Sequence, residues 1–223
     1  MAALLLIVAA GSGSRLGRGE PKALVPLAGR PMLSWALDAF VPLSFAQTVV
    51  TTPPDRGEEF SRVAGARARV VAGGQTRSDS VRLGFEALAA PDGDIVAIHD
   101  AARPFVTAEE IGAVLRAAEK TGAAIAATPV VDTMKRTSSG LIVETVDRNG
   151  LFGAATPQAF RVEVLRRAMA TGGEATDEAA LCERLGIPVA VVPVSRLCFK
   201  ITTPEDLELA EAILARKAGA RRS

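Results

Sequence analysis

Residues 4 to 17 read LLLIVAAGSGSRLG, an apolar run that passes directly into a glycine-rich loop. A short aliphatic run bounded by glycines is typical of a buried β-strand. Glycines placed straight after such a strand let backbone N–H groups approach a phosphate closely. The stretch therefore predicts a first strand over Leu4–Ala9, followed along the chain by a phosphate-binding loop.

This loop matches neither of two well-known phosphate-binding motifs. It is not a Walker A loop, because no Gly-Lys-Ser/Thr follows, and Leu16 takes the place of the third glycine of a dinucleotide fingerprint. Arg15 lies inside the loop and Lys22 follows it shortly. Two cations here suit a triphosphate whose α-phosphorus becomes more negative during attack. A tight turn with surface cations is the alternative interpretation.

Further along the chain, short apolar runs alternate with segments of helical period, which predicts a mostly parallel sheet with helices on both faces. Thr107 followed by Glu110 predicts a capping box, and Thr203 with Asp206 begins a last helix in the same manner. We find no internal repeat and no linker, and we predict one domain over residues 1–223. The other predicted strands are Gln47–Thr51, Ala68–Ala72, Asp94–Ile98, Ala123–Pro129 and Val189–Val194.

The stretch from Asp132 to Leu151 breaks this alternation. Two short extended pieces, Thr133–Arg136 and Leu141–Val146, flank a turn rich in serine and glycine. This pattern predicts a β-hairpin that projects as an arm at about residues 132–151, and such an arm suggests a partner subunit.

Composition excludes several classes of protein. The net charge is +1 and the basic run lies at the C-terminal end, so we expect no nucleic-acid partner. The two cysteines form no CxxC pair, which leaves structural zinc and disulfides unsupported. The longest apolar run, Ala2–Ala10, is too short to span a bilayer and lacks a basic leader. We expect a cytoplasmic protein without a membrane partner.

Two further segments carry candidate chemistry. Gly73-Gly74 precedes a helix start and leaves room for a planar base to bind. In the alternative interpretation, which is equally favoured, Ser78 and Asp79 are ordinary helix caps. Asp100 lies at the carboxyl end of a central predicted strand, just after Ile98, where it could hold Mg²⁺ or contact a ribose. His99 is the only histidine, so a catalytic triad is nearly excluded and a structural hydrogen bond is favoured.

An ordered set of motifs over nearly the whole chain resembles the 2-C-methyl-D-erythritol 4-phosphate cytidylyltransferases. The motifs are Ala9-Ala10-Gly11-Ser12-Gly13-Ser14-Arg15, Pro21-Lys22, Arg77-x-Asp79-Ser80-Val81, His99-Asp100-Ala101-Ala102-Arg103-Pro104, Pro129-Val130-x-Asp132-Thr133-Met134-Lys135-Arg136, Thr145-x-Asp147-Arg148, Thr156-Pro157-Gln158-Ala159-Phe160, Thr176-Asp177-Glu178-Ala179 and Lys200-Ile201-Thr202.

The resemblance implies a Rossmann-like nucleotidyltransferase fold, Mg²⁺ as cofactor and a homodimer whose arm reaches the neighbouring subunit. The implied reaction transfers CMP from CTP to 2-C-methyl-D-erythritol 4-phosphate and releases pyrophosphate, in the non-mevalonate route to isoprenoids. The alternatives are a ribitol 5-phosphate cytidylyltransferase and a non-catalytic nucleotide-binding regulator.

The resemblance also implies roles for individual residues. Arg15 and Lys22 would stabilise the transition state. The expected CTP-binding residues are Ala9, Ala10, Gly11, Gly13, Gly74, Ser80, Asp100 and Ala101. The expected acceptor-binding residues are Arg103, Thr133, Arg148, Thr156, Thr176 and Lys200. Two interpretations of Cys198, close to Lys200, remain open: a buried space-filling thiol, which we favour, or an exposed reactive one.

Overall fold

The computed structural model describes residues 1–11, 13, 16–17, 19–173 and 175–220, without the side chain of residue 220. The strands are β1 (Ala3–Val8), β2 (Pro26–Leu27), β3 (Arg30–Pro31), β4 (Gln47–Thr52), β5 (Arg69–Ala72), β6 (Ile95–Asp100), β7 (Ala123–Pro129), β8 (Met134–Ser138), β9 (Leu141–Val146), β10 (Phe152–Arg161) and β11 (Ala190–Pro193). The α-helices are α1 (Met32–Phe40), α2 (Gly57–Ala64), α3 (Arg77–Leu88), α4 (Ala108–Thr121), α5 (Val162–Met169), α6 (Glu178–Arg184) and α7 (Pro204–Ala220).

Seven strands form one sheet in the order β11-β7-β10-β6-β1-β4-β5. The pairs β1–β4, β1–β6, β4–β5 and β7–β11 are parallel, whereas β10 runs antiparallel to both of its neighbours. All six predicted strands are present within a residue or two of their expected bounds. Strand β10 was not predicted, and neither were helices α2, α5 and α6.

The alternation of side chains along β1 builds a core on each face of the sheet. Leu5 and Ile7 pack on the face covered by α1, α2 and α4, while Leu4 and Leu6 pack on the face covered by α3, α5 and α6. Successive strand residues point to opposite faces, and both faces are covered, so the strand is apolar throughout. The structure thus confirms the predicted mostly parallel sheet with helices on both faces.

Helix starts follow the predicted chemistry. The Thr107 hydroxyl accepts from the Glu110 N–H and the Glu110 carboxylate accepts from the Thr107 N–H, which is the predicted capping box. At the start of α7, the Asp206 N–H donates to the Thr203 hydroxyl, and the Asp206 carboxylate accepts from the Thr203 N–H. These reciprocal bonds satisfy N–H groups that a helix start otherwise leaves unpaired.

The predicted hairpin is present as the antiparallel pair β8–β9, which forms a sheet of its own. Its side chains are almost all exposed, including Leu141 at 74%, Ile142 at 64% and Val143 at 61%. Large apolar side chains in a row on a projecting hairpin are unusual on a surface that faces only water. Within the described residues, no helix is both long and apolar enough to cross a membrane.

Candidate active site

A cleft of about 380 Å³ opens at the carboxyl edge of the sheet, where α/β folds place their ligands. Its position follows from strand register, because Val8 at the end of β1 pairs with Asp100 at the end of β6. The cleft is lined by Val8, Ala9, Ala10, Gly11, Lys22, Ala23, Gly74, Gln75, Thr76, Arg77, Ser80, Asp100, Ala101, Ala102 and Lys200. All the residues predicted to bind CTP are among these except Gly13.

Gly13 packs against the backbone of Lys22. A Cβ at this position would lie 2.9 Å from the Lys22 backbone nitrogen and 3.0 Å from its Cα, and the backbone φ is +70°. The Lys22 N–H also donates to the Gly11 carbonyl at 3.3 Å. Close packing of backbone on backbone therefore brings Lys22 to the cleft wall. Arg15, the other predicted catalytic cation, lies outside the described residues.

The second glycine segment is also packed tightly. A Cβ at Gly74 would lie 2.2 Å from the Asp79 Cβ, so the absence of a side chain is required for the fold as well as for access to the cleft. Thr76 is the N-cap of α3, and Asp79 completes a capping box with it. The cap interpretation is therefore right for Asp79 and wrong for Ser78, whose hydroxyl donates to the Ala175 carbonyl at 3.4 Å.

Asp100 is the residue of the cleft around which basic side chains gather. Its Oδ2 accepts from the Lys200 ammonium at 2.7 Å, and its Oδ1 lies 3.3 Å from Nε of Arg77. Burial alone would raise the pKa of this carboxyl, but Lys200 and Arg77 outweigh that effect and hold the pKa well below its usual range. Asp100 is thus an anion throughout the physiological range.

Sequence reasoning gave no role to the ion pair behind this aspartate. Nη1 of Arg77 lies 2.8 Å and 3.0 Å from the two carboxylate oxygens of Glu178, at the start of α6. Glu178 is only 2% exposed, and burial raises the pKa of its carboxyl while the Arg77 charge opposes the rise. Both residues occur in the quoted motifs, yet nothing local in the sequence shows that they meet.

His99 is structural, as predicted. Its imidazole is fully buried, with Nδ1 3.1 Å from the Thr156 hydroxyl and Nε2 3.1 Å from the Arg103 carbonyl. Burial lowers the pKa of this imidazole to about 4, so the ring is neutral near pH 7. The Thr156 hydroxyl also accepts from the Asp100 N–H at 3.0 Å. Thr156 and His99 therefore hold the backbone of Asp100 from inside the fold.

The residues predicted to bind the acceptor fall into three groups by their position relative to the cleft. Lys200 lines the cleft, paired with Asp100. Arg103 and Thr156 lie just behind it, and one Arg103 guanidinium nitrogen donates to the Cys198 carbonyl at 2.7 Å. The remaining three, Thr133, Arg148 and Thr176, are exposed and do not line the cleft of this chain. Arg148 contacts the Val131 carbonyl at the base of the arm.

Cys198 is a buried thiol. It is 0% exposed at the end of a 3-10 turn, Arg196–Cys198, and its Sγ donates to the Thr156 carbonyl at 3.4 Å. Burial raises the pKa of this thiol to about 11, so the reactive-thiolate interpretation is wrong and the space-filling one is confirmed. Cys182 is buried as well, with its pKa raised to about 11 by burial.

The donor set suits a metal held mainly by a substrate. Across the part of the chain that the structure describes, no three His, Cys, Asp or Glu side chains converge as a metal site. Asp100 is the carboxylate in the cleft lining, and it already faces three cations, Arg77, Arg103 and Lys200. Mg²⁺ commonly takes one or two carboxylates, substrate phosphates and several waters. Asp100 would be the protein ligand of such an ion.

Comparison with known proteins agrees with this geometry. The family described as IspD, 2-C-methyl-D-erythritol 4-phosphate cytidylyltransferase, matches residues 3–216. A 2-C-methyl-D-erythritol 4-phosphate cytidylyltransferase of Prochlorococcus marinus (strain MIT 9313) is 46% identical, over 96% of this chain and 99% of its own.

Two other relatives extend the comparison. The bifunctional enzyme IspD/IspF of Rhodopseudomonas palustris (strain HaA2) is 45% identical over 96% of this chain, which spans 56% of that longer protein. The crystal structure of 2-C-methyl-D-erythritol 4-phosphate cytidylyltransferase from Thermus thermophilus matches with a TM-score of 0.79 and 38% identity, over 96% of this chain and 98% of that one. This chain therefore belongs to the 2-C-methyl-D-erythritol 4-phosphate cytidylyltransferase family.

Proposed function

We propose that the cleft transfers CMP from CTP to 2-C-methyl-D-erythritol 4-phosphate and releases pyrophosphate, in the non-mevalonate route to isoprenoid precursors. The observation that carries the proposal is the cleft itself. In a chain of this family, the glycine loop, Lys22, Asp100 and Lys200 converge at the carboxyl edge of the sheet. Cations gathered beside a glycine loop suit two phosphorylated substrates that must meet there.

The chemistry needs positioning and charge rather than a general base. An oxygen of the acceptor phosphate forms a bond to the α-phosphorus of CTP, and the bond from that phosphorus to the bridging oxygen breaks, so pyrophosphate leaves with the electron pair. The attacking oxygen is already anionic near neutral pH. A buried, neutral His99 that hydrogen-bonds inside the fold agrees with a reaction that asks for no proton acceptor.

We assign to Lys22 and Arg15 the stabilisation of the negative charge that develops on the α-phosphate. Lys22 is held at the cleft wall by its backbone contacts with Gly11 and Gly13, which is the preorganisation that charge stabilisation requires. The CTP-binding roles of the glycine loop, Gly74, Ser80, Asp100 and Ala101 belong to the same proposal. Backbone groups of the tight Gly73-Gly74 segment would read the cytosine edge.

Asp100 would hold Mg²⁺ against the triphosphate, and a bound ion of this kind would supply charge neutralisation and orientation of the phosphates. Lys200 and Arg103 place further positive charge next to Asp100, with Nε of Arg103 4.0 Å from Oδ2. Their nearness lets one cluster serve both substrates, with the aspartate on the nucleotide side and the lysine on the acceptor side.

The arm points to a homodimer. Thr133 and Arg148 lie on or beside the exposed β8–β9 hairpin, which packs as a separate small sheet. We propose that the apolar side chains Leu141, Ile142 and Val143 are covered by a second copy of the chain. Thr133 and Arg148 would then serve the acceptor site of the neighbouring subunit. A cytoplasmic location is part of the same proposal.

A panel of substrates tests the proposed reaction. Pyrophosphate release from CTP should be fast with 2-C-methyl-D-erythritol 4-phosphate and slow with ribitol 5-phosphate at equal concentration, and CTP should be used in preference to UTP and ATP. Faster turnover with ribitol 5-phosphate would assign the chain to the other cytidylyltransferase reaction. Binding of CTP without release in either mixture would favour a regulator.

A further inference from the structure

Arg77 joins two carboxylates that belong to different parts of the fold. It is the first residue of α3 and lines the cleft, with Nε 3.3 Å from Oδ1 of Asp100. The other end of the same guanidinium contacts both carboxylate oxygens of Glu178, 101 residues away in sequence. The planar guanidinium holds the two acids in fixed directions, with Nε toward Asp100 and Nη1 toward Glu178, whereas a lysine offers one compact charge.

Stability alone does not account for the Glu178 pair. Glu178 is 2% exposed and Arg77 is about a quarter exposed in its side chain. Taking a carboxylate out of water is costly in free energy, and replacing a buried ion pair by well-packed hydrophobic residues is often neutral or stabilising. A role in orienting a neighbouring group would explain why the buried pair is present, whereas a contribution to stability would not.

The neighbouring group is Asp100. Its two oxygens are held from two sides, Oδ1 by Arg77 and Oδ2 by Lys200. This arrangement fixes the plane of the carboxylate in the cleft. If Glu178 lost its charge, Arg77 would keep only its longer contact of 3.3 Å and would be free to swing toward bound phosphates. Asp100 would then lose its support on one side.

We propose that Glu178 is a positioning residue that acts through Arg77 to orient the Asp100 carboxylate for the nucleotide. Glu178 is not among the residues that line the cleft, whereas Arg77 is. This positioning role deepens the proposed function and rests on it, since Asp100 is the residue assigned there to CTP and its metal.

Four variants test this role: Glu178→Gln, Arg77→Gln, the double variant of both, and Glu183→Gln as a matched control on the exposed side of α6. Each single variant at the pair should lower kcat/KM for CTP about tenfold, as should the double variant, because all three remove the same support from Asp100. The control should match the unmodified enzyme. Affinity for CTP with Mg²⁺, measured by calorimetry, should fall in parallel.

Thermal unfolding separates positioning from stability. Arg77→Gln leaves Glu178 buried without its cation and should lower Tm, whereas the double variant should recover most of that loss. Activity should not recover with it. Activity that returns in the double variant along with Tm, or a Glu178→Gln enzyme as active as the Glu183→Gln control, would overturn the proposal. An unmodified enzyme that releases no pyrophosphate would contradict the proposed function, while the calorimetric comparison would still test the positioning role.

Discussion

Lys22 is tied to the glycine loop through its own backbone. Its N–H donates to the Gly11 carbonyl, and Gly13 packs against its backbone nitrogen and Cα. The side chain therefore starts from a fixed point on the cleft wall. Electrostatic stabilisation of a transition state depends on charge that is already in place before the reaction.

We expect Lys22→Ala to lower kcat by about a hundredfold or more, as the loss of a preorganised transition-state donor does. The measurement is steady-state pyrophosphate release at saturating substrates, and Lys120→Ala, an exposed lysine at the end of α4, is the control. An unchanged circular dichroism spectrum would show that the variant folds. Near-normal turnover in such a folded variant would refute the assigned role.

His99 allows a test of the interior beside the site. Because the pKa of the buried imidazole is lowered to about 4, the unfolded chain takes up the proton first as pH falls. The resulting stability, about 3 kcal/mol at most, is present above pH 6.5 and is lost between pH 6.5 and pH 4. His99 is the only histidine, so one imidazole resonance reports on it.

The native imidazole resonance should therefore stay unchanged from pH 8 down to about 5.5, while the same resonance in urea should titrate near 6.5. The measurement is a proton–carbon NMR titration of the folded and the unfolded chain. A native midpoint near 6.5 would mean that His99 is hydrated, and that it does not hold Thr156 and Asp100 as described.

At the scale of elements, the glycine loop after β1 offers a matched pair of substitutions. Gly13 and Gly17 both have positive φ, at +70° and +64°, so alanine is strained at either position. Only at Gly13 would the new Cβ meet the Lys22 backbone, whereas at Gly17 it would meet no atom of a described residue within 4 Å. The difference between the two variants isolates the contact with Lys22.

We expect Gly13→Ala to lower kcat/KM at least tenfold more than Gly17→Ala does. Backbone strain costs each variant about 1 kcal/mol of stability, and the clash with the Lys22 backbone adds to the loss at Gly13 alone. Paired kinetic and thermal unfolding measurements check this. Equal activity in the two variants would show that the position of Lys22 does not depend on its packing against the loop.

At the scale of the whole molecule, the arm determines how many chains make one site. If Arg148 serves the neighbouring subunit, Lys22→Ala and Arg148→Ala damage different sites of a mixed dimer. Each mixed dimer would then contain one site with neither change, and random mixing should restore about a quarter of normal activity. The measurement is activity against mixing ratio, with subunit exchange followed by mass spectrometry of tagged chains. No recovery despite proven exchange would place Arg148 in its own subunit's site.

Much of the fold could be predicted because its strands are buried on both faces and read as apolar runs between glycines and helical segments. Strand β10 escaped prediction because Phe152–Arg161 contains Gly153 and Pro157 and shows no regular alternation. Its place between β6 and β7 is set by pairing with both, which local sequence does not reveal.

The predicted residues that line the cleft lie at or directly after strand ends, as Ala9 to Gly11 and Asp100-Ala101 do. The pair Arg77–Glu178 was missed because its members come from two helices far apart in sequence, and only the packed fold brings them together. The exposed positions Thr133, Arg148 and Thr176 lie away from the cleft of this chain, so their roles stay predictions.

The most direct test of the central claim follows the phosphorus atoms of CTP. With 2-C-methyl-D-erythritol 4-phosphate as acceptor, label in the α-phosphate should appear in the cytidylylated product, and label in the γ-phosphate should appear only in pyrophosphate. Both labels should move at the same rate. Transfer of the γ-label to the acceptor would contradict attack at the α-phosphorus. Release of labelled CMP with no acceptor product would contradict attack by the acceptor phosphate, and either result would overturn the proposed reaction.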